Sequence, residues 1–153
     1  MPNYPLLLDV TGKRVVVVGA GPVATRRAAA LAAAGADVTV IAPEGTDAMA
    51  ALGVRWHRRV YADGDLAGAW LVHAATDIAE VNAVVAAQAA QLRVWCVRAD
   101  DAARSSAWVP AVLHEGDITV AVNAGRNPRL AVAVRDGVRQ SLPDILRRLG
   151  DPR

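Results

Sequence analysis

With 153 residues the chain has the length of one domain, or of one domain with an appendage. It is 54% apolar, mostly Ala and Val with no Phe, so a core of small side chains is expected, with Trp56, Trp70, Trp95 and Trp108 supplying the missing bulk. The net charge of +2 argues against a nucleic-acid binder, the single cysteine excludes an intrachain disulfide, and no apolar run approaches the ~18 residues of a membrane span.

The opening Met1-Pro2-Asn3-Tyr4-Pro5 lacks the basic and apolar make-up of a secretory leader, so a cytoplasmic protein is expected. Leu6-Leu7-Leu8 reads as a short strand, turned by Thr11-Gly12 into a second over Arg14–Val18. A helix is predicted from Pro22 to Ala34, ended by Gly35 as a left-handed cap. A strand over Asp37–Ile41 is followed by a loop at Ala42-Pro43-Glu44-Gly45. Val54–Val60 and Trp70–Ala74 read as strands. Asp77–Gln91 has helical spacing, and Asp77 with Glu80 resembles a capping box. Val94–Val97 is a further strand, in which Cys96 reads as a buried structural thiol.

Alternating strands and helices predict a parallel sheet. The pattern changes after Asp100. Ala111–His114 and Ile118–Asn123 read as two strands joined by the turn Glu115-Gly116-Asp117. A last helix is predicted from about Arg129 to Leu149, interrupted at Gly137 and Pro143. With Ala131, Val132, Val134 and Val138 to bury, this tail is too small to fold alone and suggests a dimerisation element.

The most telling stretch is Val15-Val16-Val17-Val18-Gly19-Ala20-Gly21-Pro22-Val23-Ala24. Four β-branched residues end at a Gly-x-Gly and run into a helix. Gly19 permits the tight turn, Gly21 lets backbone approach a pyrophosphate, and the helix start offers free N–H groups to an anion. The pattern of a dinucleotide-binding unit calls for an acid at the end of the next strand to hold the ribose. That place reads Val40-Ile41-Ala42-Pro43, and the nearest acid is Glu44. No Arg follows directly, which favours NAD over NADP. Thr76 and Asp77, where the fourth strand ends, suit either a nicotinamide ribose or a helix cap. His57, His73 and His114 lie on separate strands and form no spacing-defined metal site; for His73 a strand-interior ring with its bonds satisfied is expected.

Several segments in this order resemble the N-terminal family of siroheme synthases, the precorrin-2 dehydrogenases. They are Tyr4 to Lys13, Val17 to Arg26, Gly35 to Glu44, Ala74-Ala75-Thr76-Asp77 with Val81-Asn82, Val109-Pro110-Ala111, and Asp117 to Val122. The resemblance implies an α/β fold: a Rossmann-type parallel sheet over residues 1–110, with a short C-terminal β-β-α dimerisation appendage over 111–153. It implies an NAD-dependent oxidoreductase that converts precorrin-2 to sirohydrochlorin in siroheme biosynthesis. The protein would work as a cytoplasmic homodimer on a tetrapyrrole, with no nucleic acid or membrane partner. Some members also insert ferrous iron, an activity ranked here below dehydrogenation.

The segment Ser106-Ala107-Trp108-Val109-Pro110 sets the register by which Asp100 falls on the family's key acid. The family usually reads Asn-Val-Val-Asp there; this chain reads Val97-Arg98-Ala99-Asp100. Asp100 is the implied general base, taking a proton from the macrocycle as hydride leaves. The implied cofactor contacts are Gly19, Gly21, Pro22, Val23, Pro43, Glu44, Thr76 and Asp77. Arg126 and Arg129 are candidates for gripping substrate carboxylates, and Trp108 for lining the pocket. The alternative reading is a non-catalytic module that senses NAD(H).

Overall fold

The valine run forms the centre of the molecule's larger sheet. In the computed structural model, which describes residues 4–125 and 127–150, β1 (Arg14–Val18) lies between β2 (Asp37–Ile41) and β4 (Leu71–Ala74). The outer strands are β3 (Arg55–His57), beside β2, and β5 (Trp95–Arg98), beside β4. All four pairings are parallel, in the order β3-β2-β1-β4-β5. This is the expected Rossmann-type sheet. Its strand order reverses between β1 and β4, and open parallel sheets bind ligands at such a switch point.

Val15, Val16, Val17 and Val18 are at most 1% exposed, because helices cover both faces of β1. Each such burial stabilises the fold by about 1.5–3 kcal/mol. On one face Val17, Val38 and Val40 pack against Ala24 and Ala28 of α1 (Pro22–Ala33). On the other, Val16, Val72 and Cys96 pack against Val85 and Ala89 of α3 (Ala79–Gln91). Fully buried alanines bring the helices close to the sheet and leave no room for indoles. The expectation that tryptophans fill the core is therefore wrong. Trp70, Trp95 and Trp108 are 60%, 52% and 41% exposed, and only Trp56 packs partly against the core.

Other boundaries shift for local reasons. Leu6, Leu7 and Leu8 form no strand and are largely exposed. The strand expected over Val54–Val60 shortens to β3, since only Arg55–His57 finds a neighbour in β2. A one-turn helix, α2 (Asp47–Ala50), follows the β2 loop, started by Thr46, whose hydroxyl accepts from Met49 N at 3.1 Å. The Asp77–Glu80 capping box does not form; α3 begins after Ile78 with no side-chain cap. Gly35 does take the left-handed conformation after α1, at φ +80°.

Ser105 and Ser106 close the free edge of β5. Their hydroxyls accept from Arg98 N (2.9 Å) and Cys96 N (2.8 Å), and Ser106 N donates to Cys96 O (2.9 Å). Edge N–H groups that would otherwise await another strand are thereby satisfied. The turn Ala102–Arg104 that delivers these serines is started by Asp101, whose carboxylate accepts from Ala103 N and Arg104 N.

The chain divides into two compact units, Met1–Trp108 and Val109–Arg153. The second is the antiparallel hairpin β6 (Ala111–Glu115) and β7 (Ile118–Val122) with α4 (Pro128–Leu149). Asn127 caps α4 by accepting from Leu130 N at 3.0 Å, and Pro128 occupies the first turn. α4 runs through Gly137 and Pro143 without the expected interruption. Pro143 is exposed, so the carbonyl it leaves unpaired stays open to water. Ala131 and Leu142 are buried, while Val132 and Val134 are 41% and 44% exposed in the single chain. No described helix is long and apolar enough to cross a membrane.

Candidate functional site

Three strand exits lie side by side at the C-terminal edge of the larger sheet, because Ala75 N donates to Val18 O and Ala99 N to Ala74 O, both at 2.9 Å. The first carries the glycine turn. Gly19 sits at φ +108°, and a Cβ there would lie 2.4 Å from Ala75 O, so only glycine fits between the exits of β1 and β4. Gly21 is different: its φ is −74°, and a Cβ would meet nothing within 4 Å. No side chain caps α1. Its first-turn N–H groups and the bare Cα of Gly21 thus leave a cradle fit for a phosphate. Pro22 and Val23 form the exposed rim.

The loop after β2 is latched onto this turn. Thr46 N donates to Ala20 O (3.1 Å), and the hydroxyls of Thr25 and Thr46 meet at 3.0 Å. A Cβ on Gly45 would lie 2.4 Å from that of Ala20. Behind the loop, Trp56 Nε1 donates to Ala42 O at 2.9 Å, and the Arg58 guanidinium stacks on Trp56 at 3.9 Å. Pro43 and Glu44 are exposed at its tip. Glu44 thus presents an exposed carboxylate on this loop.

At the second exit Asn82, fully buried on α3, holds the chain after β4. Its Oδ1 accepts from Thr76 N (3.0 Å) and from the Thr76 hydroxyl (2.9 Å), and its Nδ2 donates to Thr76 O (3.0 Å). The Thr76 hydroxyl also accepts from Ile78 N at 3.2 Å. Thr76 thus serves the backbone turn, while Asp77 is exposed beside it.

At the third exit Asp100 pairs with Arg98. Arg98 Nη2 donates to Oδ2 at 2.6 Å and Nε to Oδ1 at 3.2 Å. The Arg98 side chain is only 5% exposed, that of Asp100 27%. The Arg98 hydrogen bonds, with a contribution from Asn82, hold the Asp100 carboxyl below the usual carboxylate range against its partial burial. Asp100 is therefore an anion, fixed in place and partly open to solvent.

Reasoning from sequence missed Arg98, Asn82, Thr46 and the two serines. Asn82 did leave a signal: it falls at buried-face spacing with Val85 and Ala89, where a buried amide needs partners. Arg98, buried on the edge strand β5, likewise calls for a counter-charge. His73 is 3% exposed, with its pKa pushed down to about 4 by burial and by Arg27. Burial pushes the Cys96 thiol up to about 11, as befits an inert structural cysteine. Arg129 is exposed in the first turn of α4, and Arg126 lies outside the described residues.

Comparisons with known proteins bear on the family and the fold. Residues 6–111 match the NAD_binding_7 family model, described as "Putative NAD(P)-binding". The chain is 38% identical over 151 residues to siroheme synthase 3 of Aeromonas hydrophila, covering 95% of this chain and 32% of that protein. It is 37% identical over 149 residues to siroheme synthase of Gluconacetobacter diazotrophicus, covering 92% and 32%. The chain therefore spans about a third of the length of these curated relatives. Among solved structures, SirC, a precorrin-2 dehydrogenase, superposes with a TM-score of 0.76 at 26% identity, over 91% of this chain and 71% of that one. The resemblance to siroheme synthases and the Rossmann-type fold are thus both borne out.

Proposed function

The chain belongs to the NAD_binding_7 family, and from that premise we propose that it is an NAD-dependent precorrin-2 dehydrogenase. It oxidises the tetrapyrrole to sirohydrochlorin as a cytoplasmic homodimer. The observation that carries this reading is an ionised, partly exposed carboxylate, Asp100, fixed two strands from an uncapped helix start at a Gly-x-Gly turn.

NAD, when bound, supplies the acceptor for a hydride. Gly19 shapes the turn, and Gly21, Pro22 and Val23 with the first N–H groups of α1 hold the diphosphate. Pro43 and Glu44 take the adenosine ribose. Thr76 and Asp77 flank the second ribose, with Asn82 fixing the backbone between them. Asp100 accepts the proton that leaves the macrocycle carbon skeleton, so one hydride and one proton account for the two hydrogens lost. Its lowered pKa makes it a modest base, but keeps it deprotonated at neutral pH.

The test is anaerobic turnover of precorrin-2 with and without NAD, by wild type and Asp100→Asn. The reading expects NAD-dependent formation of sirohydrochlorin, reduced at least a hundredfold in the variant. A wild-type rate in Asp100→Asn contradicts the assignment of Asp100. A second reading, an NAD(H)-sensing module, draws on the Arg98 pair, which occupies both Asp100 oxygens; it predicts binding of NAD without turnover.

A further inference from the structure

We infer that Arg98 is a positioning residue for Asp100, a clamp beneath the carboxylate that fixes its orientation and sets the pH at which it can accept a proton. The inference rests on the reading that Asp100 is the proton acceptor, and it extends that reading to the arginine that holds the carboxylate.

The geometry is that of a built support. Ala74 and Arg98 are register partners across β4 and β5, which places the arginine on the face that α3 covers. Its backbone is pinned, since Ser105 Oγ accepts from Arg98 N at 2.9 Å. Its side chain is only 5% exposed. It meets the carboxylate through two different nitrogens, one to each oxygen. Such a two-point contact fixes the plane of the carboxylate, which a single contact would leave free to rotate. The Asp100 side chain is 27% exposed, so the clamped carboxylate stays reachable from solvent.

The other groups near Asp100 do not compete for this role. From β5, Cys96 is a buried neutral thiol. From α3, Asn82 is held by Thr76 and adds to Asp100 only a smaller, uncharged hydrogen-bond contribution, which also favours the anion. From the following turn, Asp101 faces Arg104 at 3.5 Å. Arg98 is thus the cation that decides how readily Asp100 takes a proton. Because it favours the anion, removing it raises the pH at which Asp100 becomes protonated.

The test is the pH dependence of kcat/KM for wild type, Arg98→Lys and Arg98→Met, with the carbon-13 titration of the Asp100 carboxyl followed in the same proteins. The clamp predicts that the acidic limb moves up by about one pH unit in Arg98→Met, and by less in Arg98→Lys, which keeps the charge but loses the second contact. The carboxyl titration should move with it. If Arg98→Met fails to fold, Arg98→Lys alone decides. A uniform loss of rate with no shift of the limb, or an unmoved carboxyl titration, overturns the clamp and leaves the role of Asp100 standing. Full activity in Asp100→Asn overturns the proton-acceptor reading and the catalytic consequence of Arg98 with it, even if the carboxyl titration shifts.

Discussion

Asp100 does two things at once, because the guanidinium it neutralises is buried. Truncation to Ala removes a proposed base and also strands a cation that is 5% exposed. Losing one partner of such a pair costs about 3 kcal/mol. Asp100→Ala is therefore expected to lower the melting temperature by roughly 6–12 °C, from a conversion of about 2–4 °C per kcal/mol. Asp100→Asn keeps an acceptor for Arg98 and should melt closer to wild type. Scanning calorimetry of the two variants checks this, and equal stabilities would mean that the pair adds nothing to the fold. His73 offers a second prediction at this scale. Its pKa falls from 6.5 to about 4 on folding, so between those values the unfolded chain binds the extra proton. Stability is then fully present above pH 6.5 and is lost as pH falls toward 4, by at most about 3 kcal/mol. Urea unfolding at pH 7 and 4.5 should show this loss in wild type and a smaller one in His73→Leu. Parallel losses in both would assign the acid sensitivity to the carboxylates instead.

The two glycines of the first turn separate folding from binding. Gly19 is wedged against the β4 exit at a positive φ, so Gly19→Ala must push Ala75 away and is expected to destabilise the sheet by several kcal/mol. Gly21 faces open space in an ordinary conformation. Gly21→Ala should melt within a few degrees of wild type yet bind NAD at least tenfold more weakly, because the methyl group occupies the cradle. Fluorescence titration with NAD reads this out; undiminished affinity would move the diphosphate away from α1. This element was legible in the sequence because the valine run, the glycines and Pro22 all specify the same turn. The Leu6–Leu8 segment was not, since three apolar residues say nothing about whether a neighbouring strand exists to pair with. The Asp77–Glu80 box failed because buried Asn82 holds Thr76 instead, a contact that spacing alone does not reveal. Similarly, Pro143 looked like a break, but exposed helix tolerates the lost bond.

For the whole molecule, the parallel sheet and the place of Asp100 at a strand end followed from pattern and resemblance. The clamp beneath Asp100 did not, because it depends on β5 turning Arg98 toward α3. Nor could sequence show which apolar residues would stay exposed. In the second unit these include Ile118, Leu130, Val132, Val134 and Ile145, each between 37% and 50% exposed. They are the surface on which the proposed homodimer draws. Light scattering should give twice the chain mass, and Val134→Asp should shift the population toward monomer; a wild-type monomer at micromolar concentration would contradict dimerisation.

The central claim is that the three adjoining strand exits carry out one hydride transfer. It is tested most directly by an anaerobic single turnover of precorrin-2 with NAD, following NADH and sirohydrochlorin together. The two products are expected to appear at the same rate and in equal amounts. Sirohydrochlorin formed without NADH, or NAD bound with neither product formed, would contradict it.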